Sequence, residues 1–169
     1  MWANICLGKA LMDGNKPDEA IRYFQAVVAL RPRLLIGYHY LGGALGSFAL
    51  SGAPERFDEA IAQLRKALAI DPNSVKTHLI LIGLLWGAGR HDEAIAQSRI
   101  ALRFDDAVAR ARASLGTLLY LKGRVEESLP EFRRAVSLEP DHPEMLDEYR
   151  AALRKARGGR SCGPSGGRR

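Results

Sequence analysis

Apolar and polar positions along this chain recur at a fixed interval. Leu7, Leu41, Leu81 and Leu115 stand 34, 40 and 34 residues apart. Tetrads of two acidic residues, a small one and an aliphatic one follow the same rhythm: Asp18-Glu19-Ala20-Ile21, Asp58-Glu59-Ala60-Ile61, Asp92-Glu93-Ala94-Ile95 and the degenerate Glu126-Glu127-Ser128-Leu129. Pro32, Pro72 and Pro140 are separated by 40 and 68 residues, the latter twice 34. A period of this length marks stacked supersecondary units rather than one folded-over core. Each unit reads as two helices. Asn15, Gly89 and Gly123 recur between them, where a left-handed residue ends the first helix. The prolines then stop the second helix, because proline cannot continue one and biases its predecessor away from helical geometry.

The 34-residue period and its content resemble the tetratricopeptide repeat (TPR). That family's pattern places a large residue, Leu, a small residue and a bulky one in the first helix, then small, aromatic, small and a closing proline in the second. The first unit supplies Asn4, Leu7, Gly8, Leu11, Ala20, Phe24, Val27 and Pro32. The second supplies Tyr38, Leu41, Gly42, Leu45, Ala60, Leu64, Ala67 and Pro72. The third supplies His78, Leu81, Ile82, Leu85, Ala94, Ser98, Ala101 and Asp106, and the fourth Arg112, Leu115, Gly116, Leu119, Ser128, Phe132, Ala135 and Pro140. The resemblance implies an all-α chain, a right-handed α-solenoid of four helix-turn-helix repeats with a C-terminal capping helix. The repeats fall near 1–34, 35–74, 75–108 and 109–142, with the capping helix at 143–157, a TPR domain over 1–157 and a disordered basic tail at 158–169. In such a scaffold the glycines and alanines let paired helices approach, and larger residues fill the space between units.

The acidic pairs look like catalytic or metal-binding carboxylates until their recurrence is noticed. One pair per repeat, in the first turn of each second helix, is what the helix dipole favours. Three departures stand out. Repeat two carries six extra residues; Gly46 to Leu50 extend its first helix before Ser51-Gly52-Ala53-Pro54 turns the chain. Repeat three has Ile82 in place of glycine and Asp106 in place of proline, which predicts looser packing and a looser exit turn. Repeat one starts at Met1 without a helix cap, so the chain is either a piece of something longer or has its first helix covered by a partner. At the other end Asp141 and Glu144 fit a capping box, Pro143 the first turn, and Leu146, Tyr149, Leu153 and Ala156 a helical face.

The net charge of +6 changes the picture less than it promises. Six of the 25 basic residues lie in 154–169 without an acidic companion, which leaves 19 basic against 19 acidic in the rest. Bulk charge therefore gives no phosphate-tracking surface, and only the tail offers nucleic acid anything. Two cysteines, Cys6 and Cys162, imply no disulfide framework; Cys6 reads as a small buried residue and Cys162 as a free thiol. The N-terminus lacks the features of a signal peptide, and the most apolar stretch, Leu79 to Ala88, is about half the ~20 residues a membrane span needs. A cytoplasmic chain is expected. His39, His78, His91 and His142 show no metal-ligand spacing, and no nucleophile elbow, phosphate loop or paired-Cys motif occurs. The chain reads as a non-enzyme with no cofactor, metal, membrane or small-molecule substrate.

Family positions 2, 5, 9 and 12 of each first helix line a concave groove. Carried over, they are Trp2, Ile5, Lys9 and Met12; Ile36, His39, Gly43 and Gly46; Lys76, Leu79, Gly83 and Trp86; Arg110, Ala113, Thr117 and Tyr120. Of these, Trp2, Ile5, Lys9, Met12, Ile36, His39, Lys76, Leu79, Trp86, Arg110, Thr117 and Tyr120 are the candidate peptide-binding residues. They mix aromatic and aliphatic side chains with three cations and no acid, which suits a mildly acidic, partly apolar peptide or helix. The family's carboxylate clamp for chaperone tails is not matched: Lys9 alone of its cations has a counterpart. The resemblance thus implies a scaffold or adaptor that holds another protein, with self-association through the uncapped first helix as a further option. The alternatives are a regulatory TPR segment of a longer bacterial kinase or glycosyltransferase, or nucleic-acid contact through the Arg-rich tail.

Overall fold

The computed structural model describes residues 1–105 and 108–160, with backbone alone for 158–160. Among them there are nine α-helices and no strand. The helices are α1 (Trp2–Asp13), α2 (Pro17–Leu30), α3 (Leu35–Leu50), α4 (Phe57–Ile70), α5 (Val75–Gly87), α6 (His91–Phe104), α7 (Ala109–Leu121), α8 (Val125–Leu138) and α9 (Pro143–Arg160). A single 3-10 turn, Pro54–Arg56, precedes α4. The chain forms two compact units, Met1–Gln97 and a second from Ser98 onward, whose boundary lies inside α6.

In the first unit α1 packs on α2, α2 on α3, α3 on α4 and α4 on α5, with α3 also touching α5. The close approaches are set by glycine against a large partner. A Cβ at Gly8 would lie 2.6 Å from the Phe24 ring, and one at Gly42 would lie 2.7 Å from Leu64. Phe24 and Leu64 are both fully buried. A Cβ at Gly37 would lie 3.2 Å from Val27 and Val28 of α2, so glycine there lets α3 sit close on the preceding helix. Phe24 then stacks on Tyr40 with ring centroids 5.3 Å apart, tying α2 to α3. Each such buried side chain contributes roughly 1.5–3 kcal/mol relative to exposure, which decides the helix order because polar helices of this length are marginal alone.

The second unit repeats the device. Gly116 would place a Cβ 2.9 Å from the Phe132 ring, so α7 and α8 meet as α1 and α2 do. Ala109, Ala113, Ala135 and Met145 form a core cluster in which α9 closes over α7 and α8. Pro130 stands inside α8 and is exposed, so its missing N–H faces away from the core.

The turns between paired helices follow one geometry. Asn15, Gly89 and Gly123 have φ of 56°, 72° and 77°, the left-handed conformation that lets the next residue's N–H reach back to the helix. Lys16, Arg90 and Arg124 make that bond, to the carbonyls of Leu11, Leu85 and Leu119. The first helix of the longer repeat runs on to Leu50 and packs on α5: a Cβ added at Gly46 would clash with Leu84, and one added at Gly87 would lie 3.0 Å from Leu50. The extra residues thus enter helix packing in this unit.

Ile82, where the repeat usually has a small residue, is buried, and Asp106 lies outside the described residues. Other expectations need correcting. Cys6 is exposed rather than buried, because position 6 of α1 points away from α2. At the start of α9 the carbonyl accepting the first helical bond belongs to His142, which leaves Asp141 ahead of the capping position. The helix itself continues to Arg160, and residues 161–169, most of the expected basic tail, lie outside the described residues.

Candidate functional site

The acidic pairs prove to be helix-start chemistry with a partner the tetrad pattern did not include. A basic residue stands three positions before each glutamate. Lys16 pairs with Glu19 at 3.1 Å, Arg56 with Glu59 at 2.6 Å, Arg90 with Glu93 at 2.6 Å and Arg124 with Glu127 at 2.6 Å. Arg90 also donates to Asp58 of α4 at 3.0 Å, and Arg65 of α4 to Glu93 at 2.7 Å, so one cluster ties α4 to α6. The hydrogen bond from Arg90 is the chief reason the Glu93 carboxyl sits below its ordinary range; Arg124 does the same for Glu127. A carboxylate held ionised by arginine is a poor proton donor. Among the described residues no group of three or more His, Cys, Asp or Glu is placed to hold a metal ion.

Of the candidate binding residues of the first unit, Lys9, Met12 and His39 come together. A hollow of about 320 Å³ opens between α1, α3 and α5. Its walls include Lys9, Met12, His39, Tyr40, Gly43 and Ile80. Glycine at 43 leaves backbone at the surface of the hollow, and a Cβ at Gly83 of α5 would meet nothing within 4 Å. The Lys9 ammonium lies 5.8 Å from the Tyr40 ring centroid, within the range of a cation–π contact. Asp13 stands at the same rim and is the one acid in the lining.

His39 is the most constrained group in the hollow. Its Nδ1 lies 2.9 Å from the Thr77 hydroxyl, which in turn lies 2.8 Å from Ser74 Oγ. Both hydroxyls can rotate, so the network adapts to either tautomer. The His39 ring also meets Tyr40 edge-on at 5.3 Å. Burial pushes the His39 imidazole below its usual range, and the nearby Lys76 ammonium adds to that shift. At neutral pH it is therefore an uncharged polar group.

The other candidates divide by exposure. Lys76 and Trp2 are exposed, while Ile36, Leu79 and Trp86 are half-buried. Ile5 is buried at 4% exposure and serves the core of α1. Gly46 is buried against Leu84, so the corresponding position of α3 offers no contact surface. His78, two residues after Lys76, is a core histidine: its Nε2 donates to the Pro72 carbonyl at 2.9 Å and its Nδ1 pairs with the Gln97 side chain at 3.1 Å.

In the second unit, Arg110 is exposed, whereas Thr117 and Tyr120 are engaged by α9. The Thr117 hydroxyl lies 2.9 Å from both the Ala113 carbonyl and a Glu148 carboxylate oxygen. Lys155 Nζ sits 4.6 Å from the Tyr120 ring centroid. Neither contact follows from repeat positions alone, since both depend on which side chains the capping helix carries.

Comparison with known proteins agrees with this architecture. Three models of the tetratricopeptide repeat match, over residues 7–75, 53–115 and 109–142. Among solved structures, the chain is similar to TTC0263, a thermophilic TPR protein of Thermus thermophilus (24% identity, TM-score 0.75, covering 87% of this chain and 78% of that one). It is also similar to pilF of Pseudomonas aeruginosa (20% identity, TM-score 0.80, covering 92% and 68%). A third likeness is to YrrB, described as a TPR protein with an unusual peptide-binding site (18% identity, TM-score 0.69, covering 91% and 76%). At these identities the likeness is one of fold. Among curated proteins none matches the chain. No described helix is long and apolar enough to cross a membrane.

Proposed function

Because the chain belongs to the tetratricopeptide-repeat family, we propose that it is a protein-interaction scaffold that holds a peptide segment or partner helix on the first-helix face of its N-terminal unit. The hollow between α1, α3 and α5 is the observation that carries this reading. Met12, Tyr40 and Ile80 give it an apolar wall, and a bare glycine backbone at Gly43 lets a ligand approach closely. Lys9 beside the hollow, with the exposed Lys76 on α5, favours an occupant with acidic residues next to an apolar anchor. The ligand would draw its affinity from the buried anchor and its selectivity from the flanking charges. Arg110 on α7 could make a separate contact of the same sign. That YrrB is described as having a peptide-binding site lends support by analogy of fold.

The experiment is selection of 12-residue peptides displayed on phage against the whole chain and against a Lys9→Glu, Lys76→Glu variant. The proposal expects acidic–apolar sequences with the native chain and loss of at least tenfold in affinity for them with the variant, whose helical circular dichroism is unchanged. Peptides bound equally by both would overturn it.

A further inference from the structure

His39 differs from the other residues around the hollow between α1, α3 and α5 in having one polar atom committed and one open. Its Nδ1 is held by Thr77, which is fully buried, and Thr77 is held by Ser74. Its Nε2 has no hydrogen-bond partner among the described residues, and it is not among the buried nitrogens left without one. It is therefore open to whatever enters the hollow that His39 lines. With Nδ1 donating to the Thr77 hydroxyl, and that hydroxyl donating to Ser74, the ring can take a second proton on Nε2 and keep the bond it has. Charged groups approach from two neighbouring helices: Lys9 and Asp13 from α1, and Lys76 from α5. Tyr40 is the titratable group beside it on α3; α2 and α4, also packed on α3, add no described residue to the lining. Two lysines against one aspartate leave these surroundings cationic.

We propose that His39 is the residue by which the hollow selects for acid: it binds a proton on Nε2 and gives that N–H to a carboxylate of the occupant, so acidic segments bind more tightly as pH falls. The inference rests on the scaffold reading given above. Its sign follows from the surroundings. In the unliganded chain burial, and then the Lys76 ammonium, keep the ring neutral. A carboxylate at hydrogen-bond distance from Nε2 supplies the opposite charge and favours the imidazolium. The complex then holds about one more proton than its separate partners, drawn from solvent, and affinity rises as pH falls between the bound and free titrations. Histidine is the side chain that ordinarily changes charge between about pH 5 and 8, and His78, His91 and His142 lie outside the lining. A carboxylate neighbour of this kind makes the low-pH complex about tenfold tighter or more. An occupant offering only a neutral carbonyl would instead accept from the uncharged ring and bind without proton uptake.

The test is calorimetry of the 169-residue chain with one acidic–apolar peptide from the phage selection, in buffers of different ionisation enthalpy, which measures proton uptake directly. Expected are uptake of about half to one proton per complex near neutral pH, and affinity about tenfold higher at about pH 5.5 than at about pH 8. The same peptide with its Asp and Glu replaced by Asn and Gln takes up none. In the His39→Gln chain, with helical circular dichroism unchanged, the acidic peptide still binds through Lys9 and Lys76, but its affinity is flat across that range. Should that variant not fold, proton NMR of the native chain decides. The His39 Cε1–H resonance, assigned through its contact with Tyr40, titrates at higher pH in the complex than in the free chain. Binding that is weakened by Lys9→Glu, Lys76→Glu yet takes up no proton overturns this inference and leaves the scaffold reading standing. So does a pH dependence retained in His39→Gln. Failure to recover any acidic–apolar peptide, or binding indifferent to the lysine variant, overturns the scaffold reading and this inference with it.

Discussion

Gly42 and Gly83 both stand inside helices, and the structure predicts opposite responses to the same substitution. Replacing a helical glycine by alanine gains about 0.5–1 kcal/mol from lost backbone freedom in the unfolded chain. At Gly83 nothing lies within 4 Å of the added methyl, so that gain should appear in full. At Gly42 the methyl would lie 2.7 Å from Leu64 Cγ and Cδ2 and 3.2 Å from the Ala60 carbonyl. Leu64 is fully buried and the carbonyl is backbone, so neither can swing clear. Overpacking of this kind costs about 1–3 kcal/mol, which outweighs the propensity gain and leaves Gly42→Ala destabilised by roughly 1–2 kcal/mol. For a chain of this length a kilocalorie moves Tm by about 2–4 °C. Gly42→Ala should therefore melt about 2–8 °C lower and Gly83→Ala about 1–4 °C higher than the native chain. Urea unfolding followed by helical circular dichroism checks both. If Gly42→Ala were as stable as Gly83→Ala, glycine would not be setting the distance between α3 and α4.

Three further outcomes follow from individual contacts. Thr117→Val removes the hydroxyl shared between the Ala113 carbonyl and Glu148, and should cost about 1 kcal/mol, read as a Tm drop of about 2–4 °C. His39 is held below its unfolded pKa by burial, so the unfolded chain binds the extra proton first. Stability linked to His39 is present above the ordinary histidine range and is lost as pH falls through it; between about pH 7.5 and 5.5 the native chain should lose more Tm than His39→Gln. Cys6, being exposed, should react with a maleimide in the folded Cys162→Ser chain at the rate of a small free thiol, whereas a buried Cys6 would react only on unfolding.

Much of the fold was legible because backbone demands leave marks on residue type. The tetrads at Asp18, Asp58, Asp92 and Glu126 locate the starts of α2, α4, α6 and α8, since acidic first turns are favoured wherever a helix begins. Asn15, Gly89 and Gly123 announce left-handed turns because few other residues adopt them. The pairs Gly8–Phe24 and Gly42–Leu64 encode contact through complementary size. Site geometry left fainter marks. Cys6 and Ile5 are neighbours with opposite exposure, decided by which side of α1 has another helix against it. The hydrogen bond from Thr117 to Glu148 and the cation–π contact of Lys155 with Tyr120 join residues 31 and 35 positions apart, outside any local pattern. The basic residues at 16, 56, 90 and 124 were visible, one per acidic pair, and each pairs with the glutamate three positions on.

Hydrogen exchange on the chain with and without a selected acidic–apolar peptide tests the scaffold reading most directly. The account predicts slowed exchange along α1, α3 and α5, centred on the segments containing Lys9, His39 and Ile80, with α2 and α4 unaffected. Protection confined to α2 and α4 would place the ligand on the opposite face and contradict it.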